Sequence, residues 1–151
     1  MKHTLILMIL LFSVCSNVKS QNNDKTIISK NVLYADAGTL LIISSISANY
    51  ERHFYTSNSH KLHLYTRIGV GNAGGAWLET GWGGLGGLTM IIGKNKHYFE
   101  ASGGAFLGYS SSSFVYPLLD LGYRYQKNEK GFVFRVKAGV LGAGIGLGYS
   151  F

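Results

Sequence analysis

The chain has 151 residues, enough for one domain, and combines 21 glycines, one proline, ten tyrosines and eight phenylalanines with few charges. Such a composition excludes a disordered chain and suits an all-β protein. The formal charge is +7, but the basic residues are scattered singly, and without a run or patch of cations nucleic acid is not an expected partner.

Residues 1–20 read as a secretory signal peptide. Lys2 and His3 give a basic start, an apolar run follows over 5–14, and Val18-Lys19-Ser20 precedes a cleavage point before Gln21. The run is too short for a membrane-spanning helix, which needs about 20 residues. Removing Lys2 and Lys19 lowers the charge from +7 to about +5. The single cysteine, Cys15, lies in this signal. It is either discarded or acylated, and Phe12-Ser13-Val14 before it is a poor fit to the small residues that acylation requires. If discarded, it leaves a mature chain without disulfide, zinc–thiolate or thiol chemistry. Residues 21–30 are polar and read as a periplasmic lead-in.

From residue 31 onward the chain alternates apolar and polar positions in segments of about ten residues, the length a tilted strand needs to cross a bilayer. The first is 31–38 (NVLYADAG), with the weakest parity. In 43–55, Ile46, Ala48, Tyr50 and Phe54 oppose Ser45, Ser47, Asn49, Glu51 and His53, and Arg52 lies on the apolar side near the strand end. After a polar turn at 56–60, segment 61–71 sets Leu62, Leu64, Thr66, Ile68 and Val70 against Lys61, His63, Tyr65, Arg67 and Gly69. The glycine-rich stretch 72–84, with Trp77 and Trp82, reads as a long loop. Segment 85–93 is a strand, and Lys94-Asn95-Lys96 is a turn. Segment 97–108 sets Phe99, Ala101, Gly103, Ala105 and Leu107 against Glu100, Ser102, Gly104 and Phe106. The serines of 109–116 read as a loop, with Pro117 starting the next strand, 118–126, where Asp120 and Arg124 oppose Leu119, Leu121, Tyr123 and Tyr125. A charged turn at 127–131 leads to 132–141, where Arg135 and Lys137 oppose Phe132, Phe134, Val136 and Ala138. The last strand, 142–151 (GAGIGLGYSF), follows almost at once.

Eight strands over 31–151 are the smallest number that closes a membrane barrel, so the expected fold is an eight-stranded antiparallel up-and-down transmembrane β-barrel. With both termini periplasmic, the turns at 56–60, 94–96 and 127–131 are periplasmic, and 39–42, 72–84, 109–116 and 141–143 face outward. Parity alone also permits a soluble, lipocalin-like barrel with its apolar face inside around a small apolar ligand. Three features favour the membrane. Tyr55, Tyr125, Phe132, Tyr149 and Phe151 cluster near periplasmic strand ends, where an aromatic girdle belongs. The terminal aromatic has no place in a lipocalin. The opposite face is rich in glycine and serine and poor in lysine, unlike a wet surface.

The final strand, with Gly146 followed by Tyr149 and Phe151, resembles the C-terminal assembly signal of bacterial outer-membrane proteins, Gly144 standing where a polar residue is usual. The stretches Asn49-Tyr50-Glu51-Arg52 with Arg67-Ile68-Gly69, Leu119-Asp120-Leu121-Gly122-Tyr123-Arg124, and Gln21 after the cleavage point are similar to small outer-membrane β-barrel proteins of Bacteroidetes type. The resemblance spans 31–151. It implies the bacterial outer membrane as location, membrane lipid and the barrel-assembly machinery as partners, and in most such proteins no assigned activity.

Inside so narrow a barrel, Glu51, Glu100 and Asp120 against Arg67, Arg124, Arg135 and Lys137 are expected to pair and plug the lumen. One spare cation leaves a narrow polar passage or a small-anion site as the alternative. His53 and His63, brought together across 56–60 near Glu51, could hold zinc, although their spacing matches no closed site. His60 and His97 complete the histidines of the mature chain. A lipid-modifying barrel would need serine, histidine and an acid on its outer face, and parity puts no such trio there. Neither catalysis nor a cofactor is therefore expected. Trp77 and Trp82 either contact an extracellular surface partner from their loop or belong to the outer aromatic girdle.

Overall fold

The computed structural model describes residues 28–40, 43–59, 61–76, 78–127 and 129–151. The signal peptide and most of the lead-in, with Cys15, His60 and Trp77, lie outside them. Eight antiparallel strands close into an up-and-down barrel in chain order. They are β1 (Asn31–Leu40), β2 (Ile43–Thr56), β3 (Leu62–Gly75), β4 (Leu78–Lys94), β5 (His97–Tyr109), β6 (Ser113–Gln126), β7 (Gly131–Gly139) and β8 (Gly142–Ser150). Closure pairs β1 with β8 from Val32↔Ser150 to Thr39↔Ala143. Asn31 and Phe151 then exchange two backbone hydrogen bonds, at 2.9 and 2.8 Å.

The register fixes the barrel's girth. Starting at Gln126 of β6 and stepping from strand to paired strand through Val133, Gly148, Tyr34, Asn49, Gly69, Leu85 and Phe106, the path returns to β6 at Tyr116, a shear of ten residues. With ordinary strand rise and spacing, eight strands at that shear tilt by about 40° around a backbone radius of about 8 Å. Such a cylinder is filled by its own side chains. The nine-residue strands β7 and β8 then climb about 23 Å, close to the roughly 25 Å apolar band of a membrane barrel.

Two loops expected from the sequence are strand instead. Most of 72–84 belongs to β3 and β4, with Asn72 paired to Trp82 and Ala73 to Gly81. The glycines read as loop chemistry alternate between the two faces of a ladder. Similarly, β6 begins at Ser113, so that only residues 110–112 connect β5 to β6 and Pro117 sits inside the strand opposite Ala105. Its missing N–H is tolerated because β7 pairs with β6 only over Asp120–Gln126, which leaves the upper part of β6 as an edge. The expected contrast of long outer loops with short periplasmic turns is therefore absent. Every connection is short, and the wall from β3 to β6 stands above that of β7, β8 and β1.

A bulge between His53 and Tyr55 explains one irregularity of face. The extra residue places both Phe54 and Tyr55 outward and returns Thr56 to the inner side. Asn95, with φ of 63°, and Gly142, with φ of 102°, make the tight reversals at β4–β5 and β7–β8.

Candidate functional site

Inside and outside are chemically inverted relative to a soluble protein. Outward positions carry Leu33, Ile46, Ile68, Val70, Leu119 and Ile145, each more than half exposed. Eleven charged residues lie in the strands, and eight of them point into the barrel: Asp36, Glu51, Arg67, Glu100, Asp120, Arg124, Arg135 and Lys137. The other three, Arg52, Glu79 and Lys94, lie toward strand ends.

The interior is layered. At the lower end, where both termini of the barrel lie, Ile28, Val32, Tyr65, Ile91, Tyr98 and Val133 pack into an apolar floor. At the upper end Ala73, Leu85, Phe106, Leu118 and Leu141 form a second apolar layer, against which Ile43, Phe114 and Tyr116 pack. Between the two layers sit all the interior charges.

Those charges form a single connected chain. The Arg124 guanidinium reaches Glu51 Oε2 through Nη2 at 2.5 Å and Glu100 Oε2 through Nε at 2.7 Å. Arg135 also bonds Glu100, through Nε and Nη2, and reaches Asp36 Oδ2 through Nη1 at 3.4 Å. From Asp36 the chain closes into a four-membered ring. Arg67 spans Asp36 and Asp120 at 3.3 and 3.5 Å, and Lys137 spans the same pair at 3.1 and 3.6 Å. Each of the four cations thus bridges two carboxylates.

Neutral groups supply further partners, although Asp36 Oδ1 is buried without one among the described residues. Tyr34 and Thr89 donate to Glu51 Oε1 at 2.7 and 2.9 Å, and Ser102 donates to Glu100 Oε1 at 3.3 Å. Arg67 Nε donates to Asn49 Oδ1 at 3.0 Å, and Gln126 Nε2 donates to the Tyr65 hydroxyl at 3.3 Å. The Tyr34 ring lies 4.0 Å from the Arg135 guanidinium carbon, and Arg67 and Arg124 also face it at 5.7 and 5.9 Å. One aromatic ring thereby faces three guanidinium groups. Desolvating so many ions is offset only by this pairing, because removing one partner strands another in low dielectric.

β8 contributes no side chain to the network, and the reason is local. A Cβ at Gly146 would lie 2.1 Å from Asp36 Oδ1, and one at Gly148 would lie 2.4 Å from Tyr34 Cβ. The small residues of the last strand are the floor on which the side chains of β1 rest. Tyr149 and Phe151 occupy the opposite face, exposed near the lower rim.

Asp36 is the member the sequence reading missed, since the parity of 31–38 was the weakest. Its inclusion removes the supposed spare cation: four acids meet four bases, and Lys137, the least buried of them at 11 % side-chain exposure, is held by Asp36 and Asp120. The small-anion alternative loses its basis. The two histidines do meet, with ring centroids 5.9 Å apart, but the Thr56 hydroxyl bonds His53 Nε2 at 2.8 Å and His63 Nδ1 at 2.9 Å. Glu51, the proposed third ligand, is turned to Arg124. Among the described residues no three histidine, cysteine or carboxylate side chains gather as a metal would need. Trp82 stands on the outward face of β4, 68 % exposed and paired across the ladder with Tyr109, so it is a strand residue and not a loop residue.

Comparison with protein-family models, with curated proteins and with solved structures finds no match for this chain.

Proposed function

We propose that this protein is an integral β-barrel of a bacterial outer membrane with a sealed interior, serving a structural or surface-interaction role and no catalytic one. The observation that carries the reading is the inversion of faces. An uncharged apolar belt surrounds eight buried charges that neutralise one another, an arrangement that suits a lipid surround and leaves a water-exposed surface unprotected. The aromatic residues Tyr55, Tyr123, Phe132, Tyr149 and Phe151 fit a girdle at the lower interface, and Trp82 with Tyr109 fits one at the upper. In this reading the terminal strand, through Gly146, Tyr149 and Phe151, is recognised by the barrel-assembly machinery, and the raised wall of β3 to β6 is the part available to an extracellular partner.

A lipocalin-like carrier fits poorly, since a carrier needs an apolar interior with room for its ligand. The cavity bordered by Ser45, Ser47, Arg67, Asn72 and Lys137 has a volume of about 20 Å³, room for about one water. The deciding experiment is fractionation of cells expressing the chain. A protein that stays with membranes after alkaline washing and migrates faster unheated than boiled supports the reading. Recovery in the soluble fraction overturns it. Purified protein in planar bilayers is expected to show negligible conductance, and steady large channels would remove the sealed lumen from the proposal.

A further inference from the structure

The cations that stand isolated in the sequence are brought together by the fold. Of the eleven lysines and arginines among the described residues, four belong to the interior chain, and all seven others are exposed at the lower end. Lys94 and Lys96 flank the β4–β5 turn, Lys127 and Lys130 lie between β6 and β7, and Lys61 precedes β3. Lys30 precedes β1, and Arg52 points outward from the lower part of β2 opposite Asn31. Among the described residues one carboxylate side chain, Glu129, stands at that end against these seven, and none of the seven is in an ion pair. Among the described residues the upper end carries Glu79 and no cation.

We propose that this basic ring binds the anionic phospholipid headgroups of the leaflet at the lower end of the barrel. The inference rests on the transmembrane reading and adds a lipid preference to it. Position selects the partner. Phe99, Tyr123, Phe132 and Tyr149 lie outward directly above the ring, which sets its depth at the headgroups. His97 and the Tyr123 hydroxyl, 2.5 Å apart, link the turn to the girdle. Arg52 and Lys94 are on the lipid-facing side itself, where a long side chain can lie along apolar surface and deliver its charge to a phosphate. The remaining lysines spread around the circumference, at three turns and just before β1. That distribution matches a ring of separate headgroups and does not form a continuous track for a polymer.

The test reconstitutes the full barrel in phosphatidylcholine vesicles containing spin-labelled phosphatidylglycerol or spin-labelled phosphatidylcholine, and compares the fraction of each label immobilised at the protein. A basic residue near an anionic surface contributes about 1 kcal/mol, so phosphatidylglycerol should be enriched up to roughly five-fold. The enrichment should shrink towards unity in the quadruple variant Lys94→Gln, Lys96→Gln, Lys127→Gln, Lys130→Gln, with heat-dependent gel mobility preserved as the check on folding. Raising salt from about 0.1 to 1 M, which shortens the screening length from about 10 to 3 Å, should weaken it too. Equal immobilisation of both labels by inserted wild-type protein overturns the proposal while leaving the transmembrane reading intact. So does enrichment that the quadruple variant retains, or displacement of the bound lipid by duplex DNA. A protein that fails to insert in either vesicle overturns both.

Discussion

The two faces of each strand obey different rules. Inward, positions are tied to their neighbours: Arg135 must reach Glu100 and Asp36 together, and a Cβ at residue 146 would push against the Asp36 carboxylate. Outward, Ile68, Leu119, Leu121 and Ile145 meet no defined partner and need only be apolar. The barrel therefore draws specificity from its interior while its exterior asks only for hydrophobicity, and substitutions should separate the two.

The largest loss should follow Arg135→Met, which cuts the chain between Glu100 and the ring of Asp36, Arg67, Asp120 and Lys137. Leaving buried carboxylates short of a partner costs about 3–5 kcal/mol, readable as a fall in unfolding free energy in denaturant titrations of the barrel in lipid vesicles. A wild-type midpoint for this variant would mean that the interior is not the source of specificity. On the other face, Leu121→Arg introduces a charge to the apolar belt and should cost about 2–4 kcal/mol in vesicles, with little effect on the internal pairing. If the same change is harmless, the belt does not face lipid. Next in size is Gly146→Ala, at about 1–3 kcal/mol from overpacking against Asp36. Combined with Asp36→Ala, which removes the obstructing oxygen, it should cost less than the two single changes together; strict additivity would refute the contact. The smallest effect belongs to Ile68→Leu, expected within about 0.5 kcal/mol because the outer face demands only hydrophobicity.

Much of the barrel was legible because side-chain alternation is a direct image of which face a strand buries. All seven charges assigned to the interior from 43–137 have that parity in the structure, and a strand stands at each of the eight alternating segments. Asp36 escaped because 31–38 mixes small and large residues on both faces, yet the tally of three acids against four bases already indicated a missing acid. The upper ends of β3, β4 and β6 escaped for a different reason. Glycine and serine signal a turn when no face is known, but within this barrel Gly81 and Gly83 stand where a Cβ would lie 2.3 and 2.1 Å from carbonyl oxygens of β5. The basic ring is invisible in one dimension. Lys30, Arg52, Lys61, Lys94, Lys96, Lys127 and Lys130 are far apart in the chain and become neighbours only because successive turns fall at one end.

The bare inner face of β8 has a consequence for the order of assembly. Pairing β1 with β8 joins residues as far apart as Val32 and Ser150, so closure is the least local step in forming the barrel, and it gains nothing until both strands are in place. A final strand with an ion on its inner face would have to carry that ion into a nearly finished, nearly dry core. β8 sets glycines against Tyr34 and Asp36, so the seam shuts through backbone hydrogen bonds without that strand carrying a charge into the core.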